Sequence, residues 1–398
     1  MIVARHPAVK LRPMGTELMP GIIDTDGRFD AAAGSLIPWI EQVCSLAGRT
    51  VLEYGCGMGF VSRAFAARAG RHIGFDIDES AVDLGRQVLA YAGLDNAELH
   101  HAPVETIAAE VERFAGEVDV FLLYAVVEHL TVPERLDVLA LARRVVRRDG
   151  VIVVCEAPNR LIDFDHHTAQ MPYFSQLPDD LALRYARNSR RGDFTAAMAD
   201  AAGRGGPAAR EALARWGRGV SFHEFELAFG DLRRHVIASN YDPLLMGVRP
   251  VQPDEQRLAR GLEEYRPDLA PVFGRYWLDL ILSPIALPGP PSFIRPWMMD
   301  TRTSQKVAYA PNETLHLADG ARLHARLRAP SRELMVGVIG TGEPIEVEVR
   351  GATGQASAIV TGPPGGAGYV VLALDSPERE VELRLDAPAA INFVGYRG

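Results

Sequence analysis

The chain has 398 residues and 47% hydrophobic composition, so two domains and a sizeable core are expected where ~100–200 residues is usual for one. A net charge of −9 with no run of five like charges argues against a nucleic-acid footprint, and no apolar stretch reaches the ~18 residues of a membrane span. Cys44, Cys56 and Cys155 show no metal spacing and are odd in number, which fits reduced thiols in a cytoplasmic protein. Arg5, Lys10 and Arg12 are followed by no apolar h-region, which argues against secretion.

Residues 1–34 are expected to form an N-terminal arm, punctuated by Pro7, Pro13, Pro20, Gly15, Gly21 and Gly27, from which Arg28 and Phe29 are placed to close over a ligand. Leu36, Ile37, Ile40, Val43 and Cys44 give Ala31 to Leu46 one apolar helical face. Thr50 to Tyr54 then reads as a strand, followed by glycines at 55, 57 and 59 and a helix-compatible stretch from Val61 to Arg68. Glycine lets backbone pass close to a ligand and adopt positive φ. A dinucleotide fingerprint would need a third glycine where Phe60 stands, so a pyrophosphate seat is disfavoured.

A second apolar strand, His72 to Phe75, ends in Asp76, 17 residues after Gly59. An acid at such a strand end can accept hydrogen bonds from ribose hydroxyls. Ser80 and Gly93 predict the limits of a helix over 81–92. Ala97 to His101 reads as a strand, Thr106 to Phe114 as a helix, Val118 to Leu123 as a strand, Pro133 to about Arg148 as a helix and Val151 to Glu156 as a strand. This alternation predicts a parallel, doubly wound sheet with its ligand beyond the strand carboxyl ends, where Gly55, Asp76 and Tyr124 lie.

Four motifs in this order, Glu53-x-Gly55-x-Gly57-x-Gly59, Asp76, Val118 to Leu130 with Glu128-His129, and Asp149 to Glu156, resemble the class I S-adenosylmethionine-dependent methyltransferases over roughly residues 35–160. The resemblance implies a Rossmann-like α/β fold and S-adenosylmethionine as cofactor. It places Glu53, Gly55, Gly57 and Gly59 at the methionine end, Asp76 at the ribose, and Ile77, Val104 and Tyr124 around the remainder. Where relatives place an acid against the adenine amino group, this chain has Ala102-Pro103-Val104, with Glu105 just beyond. The Glu128-His129 pair is read as cofactor-side or structural.

Residues 157–240 are longer than a simple connection and read as a lid insertion within a methyltransferase domain of residues 35–284, with Leu244 to Val248 and Tyr276 to Leu282 completing the sheet. Tyr173, Phe174 and Trp216 suit lid packing or stacking on an acceptor. A Pro-rich linker over 285–303 precedes residues 304–398, where short alternating segments (321–329, 334–339, 345–350, 369–374 and 381–385) predict an all-β sandwich or jelly roll.

The expected reaction is O-methylation of a hydroxyl on a sugar, glycan or glycosylated secondary metabolite. An alcohol loses its proton as it attacks, and neutral histidine suits that base role. The candidates are His166, His167 and His223. Asp163, Asp165 and Glu224 could orient one of them or hold a divalent ion such as Mg²⁺ through oxygen. Competing readings are a carboxylate or amine methyltransferase acting on a peptide or small metabolite, and a non-catalytic cofactor-binding scaffold. The expected partner is the small-molecule or glycan acceptor, with no nucleic acid and no membrane, and a homo-oligomer stays open.

Overall fold

The computed structural model describes residues 17–397 apart from 20–21, 24–26, 241–244, 246–247, 250, 287–290, 295–299, 310–314, 340 and 362–366. The chain divides into two compact units, residues 6–235 with 272–286, and residues 1–5, 236–271 and 287–398.

The first unit holds parallel strands β1 (Thr50–Tyr54), β2 (Arg71–Asp76), β3 (Ala97–His101), β4 (Val118–Tyr124) and β5 (Val146–Pro158). Between them lie helices α1 (Phe60–Ala66), α2 (Glu79–Ala92) and α3 (Val132–Val145). All seven residues of β4 are buried, as expected of a central strand covered on both faces. Later elements of this unit are α4 (Gly206–Arg215), α5 (Phe222–Phe229) and β7 (Trp277–Leu282), whereas β6 (Val236–Ser239) falls in the second unit. Within the first unit the sheet runs β3-β2-β1-β4-β5-β7, with β7 antiparallel to β5. The order reverses between β1 and β4, which is where ligands bind in open α/β sheets.

Caps and strands account for the boundaries that differ from expectation. Helix α2 starts at Glu79 because the Asp78 carboxylate, rather than Ser80, accepts the N–H groups of Ser80 and Ala81. Gly93 ends it in the left-handed conformation, as expected. Helix α3 starts with a Thr131–Glu134 capping box and gives way at Val146 to a long β5 instead of continuing to Arg148. The helix expected over 31–46 starts at Arg28, passes through a π-helical segment at Ala32–Leu36 and stops at Glu41. Leu245 and Val248 are helical rather than part of a strand, and the rest of the 244–248 prediction lies outside the described residues.

In the second unit, strands β8 (Pro291–Ile294), β9 (Asp300–Tyr309), β10 (Leu315–Ile339), β11 (Ile345–Arg350), β12 (Gln355–Val360), β13 (Ala367–Leu385) and β14 (Ala389–Arg397) form one antiparallel sheet. Its order is β8-β14-β10-β13-β11-β12, with β9 on β10. Leu315, Leu317, Leu323, Leu327, Leu334, Val336 and Val338 of β10 join Val347, Val349 and Leu383 in one apolar cluster. The segments 321–329 and 334–339 belong to the single strand β10, and 369–374 and 381–385 to β13. The β10–β13 register shifts near Pro330 and Pro377, where proline has no N–H to give the ladder. Part of the expected linker is also strand, because Pro291–Ile294 pairs with Val394–Arg397.

Candidate functional site

The glycine turn after β1 is held from behind. Gly55 and Cys56 donate N–H bonds to the Phe75 carbonyl at 2.7 and 3.0 Å. Gly57 donates to Asp76 Oδ2 at 2.7 Å, and Asp78 N donates to Asp76 Oδ1 at 2.9 Å. Gly55 has φ +85°, and a Cβ there would stand 2.3 Å from Val126 Cγ2, so glycine is what allows the ends of β1 and β4 to meet. Gly57 has φ +48° and no atom of the described residues within 4 Å of where its Cβ would be, leaving an open backbone surface.

Glu53 is only 2% exposed. It accepts the Ser62 hydroxyl at 2.6 Å and lies 3.2 Å from His72 Nε2, so it braces α1 and β2 behind the turn. Burial pushes the Tyr54 hydroxyl up to about 12. Met58, Ile77 and Val104 are apolar yet 44%, 52% and 42% exposed at successive strand ends. An open glycine surface, an acid with spare acceptor capacity and exposed apolar side chains fit a ligand that combines an amino-acid end, a ribose and a flat base. S-adenosylmethionine is such a ligand. Tyr124, at the end of β4, is buried.

Beyond Tyr124 the chain takes a left-handed step at Ala125 (φ 52°) and enters a short 3₁₀ turn, Val127–His129. His129 donates from Nδ1 to the Arg215 carbonyl at 2.8 Å, and Arg215 grips Glu134 with two bonds of 2.7 and 2.8 Å. Buried Arg135 donates to the carbonyls of Glu128 at 3.0 Å, Leu130 at 2.9 Å and Gly219 at 2.7 Å, and to Glu224 Oε1 at 3.0 Å. These bonds fasten the insertion to the end of β4.

The result is a cluster in which Glu128, His129 and His167 each offer a ligand atom, all within 4.8 Å of one another. Glu128 is fully buried, and among the described residues neither carboxylate oxygen has a hydrogen-bond partner. Burial pushes its carboxyl up to about 8, against smaller opposing effects from its own backbone N–H and Arg135. Burial pushes His129 down to about 4, opposed by the Arg215 carbonyl, and also lowers His167, opposed by Asp165. Arg28 bears electrostatically on all three, and the Arg63 guanidinium lies 4.8 Å above the ring of buried Phe29.

Of the three candidate bases, His167 is the one brought into this cluster. His166 is exposed and packs its ring against Phe164 and Tyr276 at 4.7 and 5.0 Å. His223 is exposed on α5, stacked on Phe222 and bonded to the Ser221 hydroxyl. The expected metal acids do not converge. Asp165 accepts N–H bonds from His167, Thr168 and Ala169, which sets the His167 backbone. Glu224 serves the α5 capping box and Arg135. Asp163 joins no such group among the described residues. Phe174 and Trp216 belong to the insertion's own apolar cluster, whereas Tyr173 is 55% exposed.

Gly217 is a further residue of this cluster that no motif singles out. Its φ is +92°, and a Cβ would stand 2.5 Å from His167 Cε1 and 3.3 Å from Glu128 Cγ. The Gly217-Arg218-Gly219 spacing, with both glycines at positive φ, is the trace it leaves in the sequence.

A family model described as a methyltransferase domain matches residues 51–150. Residues 51–150 are a class I S-adenosylmethionine-dependent methyltransferase domain. The chain is similar to the ubiquinone biosynthesis O-methyltransferase of Aromatoleum aromaticum, 36% identical over 117 residues, 29% of this chain and 47% of that protein. The protein of the same name in Dechloromonas aromatica is 32% identical over 116 residues, 29% and 47% of the two chains. The chain therefore spans about half the length of the curated relatives it matches. Among solved structures, PKMT2 from Rickettsia typhi with AdoHcy aligns over 62% of this chain and 52% of its own at TM-score 0.37 and 16% identity. Magnesium protoporphyrin IX methyltransferase from Synechocystis with bound SAH aligns over 34% and 58% at TM-score 0.28 and 21% identity. The methyltransferase domain accounts for the glycine turn and Asp76, while His167 and Gly217 lie outside the matched residues.

Proposed function

We propose that the chain is an S-adenosylmethionine-dependent O-methyltransferase whose acceptor is a hydroxyl of a sugar, glycan or glycosylated secondary metabolite, activated at His167. The observation that carries this reading is the position of His167 beside Glu128 and His129, just past the β4 end that touches the glycine turn through Val126. The names of the relatives, O-methyltransferases, favour oxygen as the acceptor atom. The all-antiparallel C-terminal sheet, read as a jelly-roll sandwich, and residues 157–240, read as a lid, favour a glycan-type acceptor.

When bound, S-adenosylmethionine supplies a methyl group on a positively charged sulfur. Gly55, Gly57 and Gly59 would hold its amino-acid end with Glu53 bracing the turn, Asp76 would accept from the ribose, and Ile77 and Val104 would flank the base. On the acceptor side the protein's work is positioning, together with removal of one hydroxyl proton at His167. A base contributes typically ~10²–10⁴-fold.

The test is turnover with labelled donor across pooled glycan and metabolite acceptors. His167→Ala should lower kcat by ~10²–10⁴-fold with donor affinity near wild type, while His223→Ala stays close to wild type. The wild-type rate should fall in acid, with its midpoint below the usual histidine range because burial lowers the His167 pKa. Near-normal kcat in His167→Ala would defeat the reading.

A further inference from the structure

We propose that Glu128, His129 and His167 form a site for one divalent first-row transition-metal ion of the zinc type. A carboxylate with both oxygens buried and unpartnered is costly unless something satisfies it, and among the described residues Glu128 is fully buried in that state. The two imidazoles beside it are suited to ligation. His129 gives its Nδ1 proton to the Arg215 carbonyl, which leaves Nε2 as a lone pair 3.7 Å from Glu128 Oε1. A second hydrogen bond that fixes tautomer and ring orientation in this way is what metal-bound histidines usually have. Nδ1 of His167 is likewise buried, with the Gly217 backbone as the group that bears on it among the described residues. Asp165 fixes the backbone that presents His167, and Gly217 leaves the space the ring occupies.

Two imidazoles and one carboxylate match the donor set of catalytic zinc sites, in which a further position stays open. Magnesium prefers oxygen donors and retains several waters, so it suits this set poorly. The ion's role rests on the O-methyltransferase reading: an acceptor hydroxyl oxygen bound at the open position would have its pKa lowered, its proton would pass to water, and its electron pair would be available for attack. With the ion bound, His167 is its ligand and water takes the proton; the direct base role of His167 belongs to the chain without the ion. The binding of the ion does not depend on that reading.

The test uses the full chain, stripped with a chelator and titrated with Zn²⁺ alone, then with Co²⁺ followed by visible absorption, with Mg²⁺ as the comparison. One equivalent of Zn²⁺ should bind, Co²⁺ should develop ligand-field bands, and Mg²⁺ should not compete at equal concentration. His167→Ala and the nearly isosteric Glu128→Gln should each weaken Zn²⁺ by at least ten-fold. Circular dichroism checks folding, and if His167→Ala is unfolded, Glu128→Gln decides. No stoichiometric Zn²⁺ binding, or equal binding in the folded variants, overturns the site. Loss of activity in His167→Ala with no ion bound by the wild type keeps the hydroxyl reading and removes the ion. Tight Zn²⁺ binding in a chain that methylates no hydroxyl does the reverse.

Discussion

Gly57 N–H donates to Asp76 Oδ2 at 2.7 Å, so the acid at the end of β2 also holds the glycine turn that follows β1. Asp76→Ala should therefore damage the pocket in two ways, removing a ribose acceptor and releasing the turn. Losing one hydrogen bond to a charged group costs ~1.5–3 kcal/mol, or roughly ten- to hundred-fold in affinity. Calorimetry with S-adenosylhomocysteine should show a loss at or above the upper end of that range. Unchanged affinity would refute this placement of the pocket.

The turn glycines should respond differently to substitution. Gly55→Ala puts a methyl 2.3 Å from Val126 Cγ2 as well as at φ +85°, so it should lower stability and donor affinity together. Among the described residues a Cβ at Gly57 meets nothing within 4 Å, so Gly57→Val should cost stability only through its positive φ, while blocking backbone approach by the donor. A melting curve and a binding isotherm on each variant separate the two effects, and equal stability loss in the two variants, or unchanged donor affinity in Gly57→Val, would contradict this account.

Arg135 is buried and makes four hydrogen bonds, one of them to buried Glu224. Removing one partner of a buried ion pair costs about 3–5 kcal/mol, because the other charge is left unpaired. Arg135→Met should lower unfolding stability by that order in urea, whereas replacing exposed Arg113, whose partner is exposed Glu110, should change little. Similar midpoints for the two variants would show that the insertion is fastened by something else.

Acid should loosen the contact between α3 and α4. The Arg215 hydrogen bonds hold the Glu134 carboxyl down at about 2, with the Thr131 N–H assisting. A depressed carboxylate binds fewer protons folded than unfolded, so its contribution is complete above the ordinary glutamate range and fades as pH falls from about 4.5 toward 2. The melting temperature of the wild type should fall more steeply across that window than that of Glu134→Gln. Parallel curves would mean that the pair adds no net stability.

The parallel sheet was legible because its strands are unbroken apolar runs and its turns carry glycine at fixed places. Asp76 closes β2, and Gly55, Gly57 and Gly59 follow β1, as the apolar runs imply. Three histidines looked alike in the sequence, since nothing local distinguishes His166 or His223 from His167. Contacts with residues far away in the chain make the difference. Glu128 was visible but ambiguous, because an acid beside a histidine does not announce whether it will be left without partners. The C-terminal strands were legible as elements, but their lengths were not, because prolines usually read as breaks and here sit at register shifts within continuous strands.

Three bonds that complete the cluster join parts of the chain remote in sequence: His129 to Arg215 spans 86 residues, Arg135 to Gly219 spans 84, and Arg135 to Glu224 spans 89. Closing a loop of that size costs entropy that grows only with the logarithm of its length, about 0.6 kcal/mol per doubling, and that cost precedes the contacts that reward it. The hydrogen bond that holds the glycine turn closes over a much shorter separation, 19 residues for Gly57 to Asp76. The expected outcome is an order of recovery: a refolding chain should regain donor binding before it regains turnover. A protease cut within Gly203 to Gly206, by releasing α4, should abolish turnover while donor binding persists.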